Sequence, residues 1–132
     1  MPSIQIDLPL DLTPDVKRDL ARNVGTIYAS TMEVNADLLT VSIHDLERGS
    51  VWRCHEDGEP TPSALVMCDI RRGRPVETRA LLAQQLIDLL VDTLDLSRTW
   101  LKVEFTQHAG DEMYHPHLGG FNKDWEGSER DD

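Results

Sequence analysis

Ser3-Ile-Gln-Ile-Asp-Leu8 and Leu65-Val-Met-Cys-Asp-Ile70 lie on one another under a shift of 62 positions, which sets Ile4, Ile6 and Leu8 on Val66, Cys68 and Ile70. The first stretch alternates apolar and polar side chains, the pattern of a strand with one buried face. The second belongs to the nearly continuous apolar run 64–70, which predicts a central strand covered on both sides. The same shift carries Leu20 onto Leu82, Val24 onto Leu86, and Leu39-Thr40-Val41 onto Leu101-Lys102-Val103. Thr13-Pro14 reads as a helix cap followed by proline at the first helical position. Val16, Leu20, Val24, Ile27 and Thr31 then recur at helical spacing, so the pattern predicts an amphipathic helix over 14–32. Pro75 opens a second helix, with Leu82, Leu86, Leu89 and Leu90 on one stripe. Leu39, Val41 and Ile43 make a second strand, and Leu101, Val103 and Phe105 a fourth. Polar and turn residues over 47–62 form a connection, with a short hairpin around Val51–Arg53.

These elements predict an α+β fold: tandem β-α-β units, about 2–44 and 63–106, forming a four-stranded sheet with two helices on one face. The 132 residues suit a single domain, with 107–132 as a C-terminal tail. Aromatic and glycine residues suggest that the tail docks as far as Trp125 and that its last residues, from Ser128, are mobile. The sheet face opposite the helices needs cover, and a bare apolar face calls for a partner, so an oligomer is expected.

The formal net charge of −11 argues against phosphate-backbone binding as the main task. No apolar run reaches the roughly 18 residues of a membrane span, and no secretory pattern opens the chain. Cys54 and Cys68 share no redox or zinc spacing and read as reduced thiols, which makes a cytoplasmic location the expectation. Against the acidic background, Ile70-Arg-Arg-Gly-Arg-Pro75 places three arginines in four residues, a candidate small-anion site.

Pro2 follows the initial methionine, and methionine is removed efficiently before a small residue. The new terminus would be a secondary amine. An α-amino group titrates at about 7.7–8.0 in peptides, and burial or nearby cations disfavour its protonated form. Such an amine is neutral near pH 7 and can take up and return a proton. A retained methionine would leave Pro2 with an amide nitrogen and no such chemistry. Whether Pro2 and Arg71 share one end of the sheet depends on strand direction, which the residues leave open.

Met-Pro-Ser-Ile-Gln-Ile-Asp-Leu, the Thr-Pro helix start and Ile-Arg-Arg-Gly-Arg ahead of a second helix resemble the tautomerase superfamily. Within it, the chain is most similar to the branch of cis-3-chloroacrylic acid dehalogenase, over roughly residues 2–125. The resemblance implies a β-α-β-β-α-β fold, usually a trimer, with Pro2 as catalytic base and Arg71 and Arg74 binding a substrate carboxylate. A guanidinium fork suits two-point contact with that group. The chain also departs from the branch. Tyr28 stands where the branch has a histidine in its first helix, Glu104 where it has a tyrosine, and His115 near where it has a glutamate. These changes put dehalogenation in doubt, with Glu112 or Tyr114 as stand-ins in the tail.

Each position has a plainer reading beside the catalytic one: Tyr28 as core or interface packing, Glu104 as a solvent-facing strand residue, His115 as a loop residue. His108, Asp111, Glu112, His115 and His117 cluster in the sequence, but nothing elsewhere has complementary metal-ligand spacing. The expected protein is a tautomerase acting on a small carboxylate-bearing 2-keto or enol acid, with Pro2, Tyr28, Glu104 and His115 as candidate catalytic residues. No cofactor is implied, and the expected partners are the anionic substrate and two further copies of the chain. Trp52, Trp100, Phe121 and Trp125 are candidates for an apolar wall. The alternatives are a haloacrylate dehalogenase, hydratase or decarboxylase of the same superfamily, and a binding protein that keeps the fold without catalysis.

Overall fold

The computed structural model describes residues 2–116 and 119–121. The expectations for His117, for docking of Trp125 and for the end of the tail lie outside these residues. Strand β1 (Ser3–Leu8) leads into helix α1 (Pro14–Met32), a 3-10 turn (Ala36–Leu38) and β2 (Thr40–Asp45). A hairpin of β3 (Trp52–Arg53) and β4 (Thr61–Pro62) follows. The second unit is β5 (Ala64–Arg71), α2 (Val76–Leu94), a 3-10 turn (Arg98–Trp100) and β6 (Leu101–His108). After a 3-10 turn (Gly110–Glu112), β7 (Tyr114–His115) pairs with β8 (Gly120–Phe121).

The sheet order is β2-β1-β5-β6. Each helix crosses between parallel neighbours, β1 to β2 and β5 to β6, and the central pair β1 and β5 is antiparallel. Alternation along the strands sends Ile4, Ile6 and Leu8, and Val66, Cys68 and Ile70, into one layer with Leu20, Val24, Leu82, Leu86 and Leu90 of the helices, all buried. Thr13 caps α1 through its hydroxyl, which accepts from the Val16 amide at 3.3 Å. Lys17 reaches Asp45 at 3.1 Å, and the Leu12 amide donates to the same carboxylate at 3.3 Å, clipping the start of α1 to the end of β2.

The repeat is more regular in the structure than the sequence alone discloses. The 62-residue shift lays the first residue of α1 on the first of α2, and both helices are 19 residues long. Both end at a left-handed residue, Glu33 and Asp95, each with φ of 55°. The two 3-10 turns coincide under the same shift, and so do β3 and β7. The tail therefore starts as a second copy of the hairpin that follows β2. Two-residue strands carry no apolar period, so this part of the repeat left no mark in the hydrophobic pattern.

Two expectations are corrected. The run 64–70 is not covered on both sides: Leu65, Met67 and Asp69 are only partly buried, while their neighbours are fully so. The face away from the helices is also not a bare apolar surface. Register places Ser3, Gln5 and Asp7 beside Thr40, Ser42 and His44, and Lys102, Glu104 and Thr106 beyond β5. Only Leu65 and Met67 break this polar face. Its groups satisfy one another locally, with His44 Nδ1 2.9 Å from Asp7 and its Nε2 3.0 Å from the Ser42 hydroxyl. No helix among the described residues is long and apolar enough to cross a membrane.

Candidate active site at the Pro2 end of the sheet

Strand direction brings the two sequence signals together. In the antiparallel pair, Ser3 faces Asp69, so the ladder runs on to Pro2 beside Ile70, with Arg71 one residue further. Facing residues in such a ladder lie about 4.5–5.5 Å apart at Cα. The Pro2 carbonyl accepts from the Thr40 amide at 3.2 Å, which ties Pro2 to the start of β2. Pro2 is buried, in step with Ile4 and Ile6.

Beyond Arg71 the chain reverses at Gly73, whose φ of 104° favours glycine. Arg74 then reaches back across the end of α1, its Nη1 donating to the Met32 carbonyl at 2.9 Å. This bond meets the negative end of a helix dipole and holds the β5–α2 turn against α1. Arg79 Nε in turn donates to the Arg74 carbonyl at 3.4 Å. Arg71 and Arg72 are both half-buried at the strand end, and the Arg72 amide donates to the His108 carbonyl at 2.7 Å.

Tyr28 stands one helical turn before Met32 and is only 3% exposed. Burial pushes its hydroxyl up to about 12, and the positive charge of Arg74 opposes part of that rise. Tyr28 is therefore a protonated hydrogen-bond donor beside an arginine. The Cys68 thiol lies in the same layer, pushed up to about 12 by burial and then by the Asp69 carboxylate. It stays a thiol and offers no nucleophile at neutral pH.

Pro2, Tyr28, Arg71 and Arg74 thus lie at one end of the sheet, with Arg71 on the face away from the helices, while Glu104 is set further along β6 and His115 in β7. Glu104 sits opposite Met67 on the polar face, exposed and 2.9 Å from Lys102. His115 lies in β7 opposite Gly120, half-buried. Its neighbour Tyr114 is 66% exposed and packs edge-on against Phe121 at 5.1 Å. Trp52 is exposed in its hairpin, its indole donating to the Gly49 carbonyl at 2.7 Å, and Trp100 packs against the core at the other end of the sheet.

Sequence reasoning passed over Asp69 and undervalued His108. Ser3, Asp69, His108, Glu112, Met113 and Tyr114 line an open cavity of about 330 Å³ at the Pro2 end, on the side away from the helices. His108 Nε2 is 3.4 Å from Asp69, and its Nδ1 is 3.9 Å from Glu112. Glu112 also accepts from the Ala109 amide at 3.0 Å. The available signal was the alternation within 64–71, which puts Asp69 on the same face as Ser3 and Arg71. No group of three or more His, Cys, Asp or Glu among the described residues could hold a metal ion.

The fold has counterparts among solved structures. A member of the cis-3-chloroacrylic acid dehalogenase family superimposes with a TM-score of 0.77 at 19% identity, over 98% of this chain and 88% of that one. The fold is that of the tautomerase superfamily. A second structure, of a protein inactivated by 2-oxo-3-pentynoate, gives 0.75 at 19% identity, over 91% and 94% of the two chains. A fused 4-OT that forms an asymmetric trimer gives 0.68 at 17%, over 83% and 88%. No family model matches the chain. No curated protein matches it either.

Proposed function

We propose that this chain is a tautomerase whose amino-terminal proline, freed by removal of Met1, moves a proton within a small carboxylate-bearing 2-keto or enol acid. The observation that carries this reading is the antiparallel register of β1 and β5, which sets Pro2 at the strand end that bears the arginines. The tautomerase fold and the Tyr28–Arg74 pair at the same end support it.

In the proposed reaction the substrate carboxylate sits on Arg71 and Arg74. Arg74 keeps its bond to Met32 through one nitrogen, and its remaining N–H groups serve the ligand. The neutral Pro2 amine takes the proton from the enol hydroxyl and leaves an enolate. The carbonyl forms as the carbon–carbon double-bond pair takes that proton back from the Pro2 ammonium at the adjacent carbon. The guanidinium charges and the Tyr28 hydroxyl stabilise the oxygen anion between the two transfers. The same cations, with burial, lower the Pro2 amine below its ordinary range and keep it neutral near pH 7.

The experiment is ketonisation of phenylenolpyruvate by protein whose intact mass shows methionine removed, with Pro2→Ala beside it. A fall in kcat/KM of about 10²–10⁴ in the variant is the expected result for loss of one general base. Unchanged turnover removes the reading. The inactivator of the similar structure supplies a second measurement: 2-oxo-3-pentynoate is expected to add covalently to Pro2, read as a mass increase confined to the amino-terminal peptide. The reading includes a homotrimer, supported by the trimer of the fused 4-OT, and a cytoplasmic enzyme that needs no cofactor.

A further inference from the structure

At the other end of the sheet the repeat builds a second cavity, about 350 Å³, within the size range of small-molecule sites. Under the 62-residue shift its parts match those of the Pro2 end. Pro9 and Leu10 follow β1 where Arg71 and Arg72 end and follow β5, and Leu94, Asp95 and Leu96 end α2 where Met32, Glu33 and Val34 end α1. The chemistry is changed at the strand ends and kept at the helix ends, where Asp95 matches Glu33. Apolar side chains replace the arginines, and Trp100 closes one wall. Two opposite charges remain at the cavity, Arg48 from the segment after β2 and Asp95 at the end of α2. Neither side chain has an ion pair or hydrogen bond among the described residues.

Arg48 suits a carboxylate. Asp95 stands at the negative end of the α2 dipole, where the last helix carbonyls also favour a cation. Leu10, Leu96 and Trp100 between them suit a branched hydrocarbon. We infer that this cavity binds the zwitterion of a small apolar amino acid. Its carboxylate lies on Arg48, its ammonium on Asp95 and the end of α2, and its side chain against the tryptophan. The inference rests on the fold and the repeat and is independent of the reaction proposed at Pro2.

The test is titration of the full chain with L-leucine, followed by calorimetry and by tryptophan fluorescence. One saturable site per chain is expected. Arg48→Gln and Asp95→Asn should each weaken binding about tenfold or more, a loss of at least ~1.4 kcal/mol. Asparagine tolerates the left-handed backbone at 95, and Arg48 is exposed, so both variants keep the fold. Pro2→Ala should bind leucine as the parent does. Isocaproate, which lacks the ammonium, and isopentylamine, which lacks the carboxylate, should each compete poorly. Absence of saturation, or binding indifferent to both substitutions, overturns the inference. Competition by isocaproate as strong as by leucine also overturns it, leaving a simple anion site. A change of oligomeric mass in Arg48→Gln or Asp95→Asn does the same, by assigning the cavity to a subunit contact.

Discussion

Tyr28 shows how one residue serves both packing and chemistry. Its ring fills the layer between α1 and the sheet, and its hydroxyl, raised from 10 to about 12, stays protonated beside Arg74. Because the folded state holds this proton more tightly than the unfolded chain, its share of stability is full below pH 10 and is lost as pH rises from 10 to about 12. Cys68, raised from 9 to about 12, acts in the same direction from pH 9 upward. Denaturant midpoints measured between pH 8 and 12 should therefore fall, with a shallower fall above pH 10 in Tyr28→Phe and a later onset in Cys68→Ala. Parallel curves for all three proteins would sink this assignment. At the strand end, Arg71→Ala and Arg74→Ala should each raise KM for an anionic substrate about tenfold or more. Arg74→Ala should also cost about 1 kcal/mol of stability, through its lost bond to Met32. Unchanged stability in that variant would argue against the Arg74 clasp.

The two helices end in the same way, at a non-glycine residue in the left-handed region, and pay differently for it. Aspartate visits that region more readily than glutamate. Glu33→Gly should therefore stabilise the protein by about 1 kcal/mol in thermal or denaturant unfolding, and Asp95→Gly by less. The opposite order would mean that the side chain of Glu33 contributes more than its backbone costs. Thr13→Ala removes the one side-chain cap at the start of α1 and should cost about 1 kcal/mol. No such loss is available at α2, which starts after Pro75 without a side-chain cap.

For the whole molecule, the sheet face opposite the helices decides what kind of assembly to expect. It is polar apart from Leu65 and Met67, so copies of this chain would not be held together by a broad apolar face. Each chain also carries a net charge of −11, and assembled copies repel one another. If the proposed trimer forms, raising salt from ~10 mM to ~150 mM shortens the screening length from about 30 to about 8 Å and should favour it. Sedimentation at the two salt concentrations checks this. Dissociation on adding salt would show that ion pairs between chains, rather than side-chain packing, hold the assembly.

The element order, the extent of α1 and the repeat of its core positions were legible in the chain because each follows from local periodicity. Thr13-Pro14 marks a helix start wherever it occurs, and Ile4, Ile6 and Leu8 must share a face in any strand. Pro2 and the arginine cluster were legible as residues, and the resemblance to the tautomerase superfamily joined them. Their convergence at one end was decided only by the antiparallel pairing of β1 with β5, since strand direction is set by which surfaces pack and not by the pattern within either strand. The same holds for Asp69 and His108, 39 positions apart in sequence and brought within 3.4 Å by the parallel register of β5 and β6. Local sequence determined what each segment is. The tertiary structure decided which ends meet, because contacts between distant segments depend on the packing of the whole sheet.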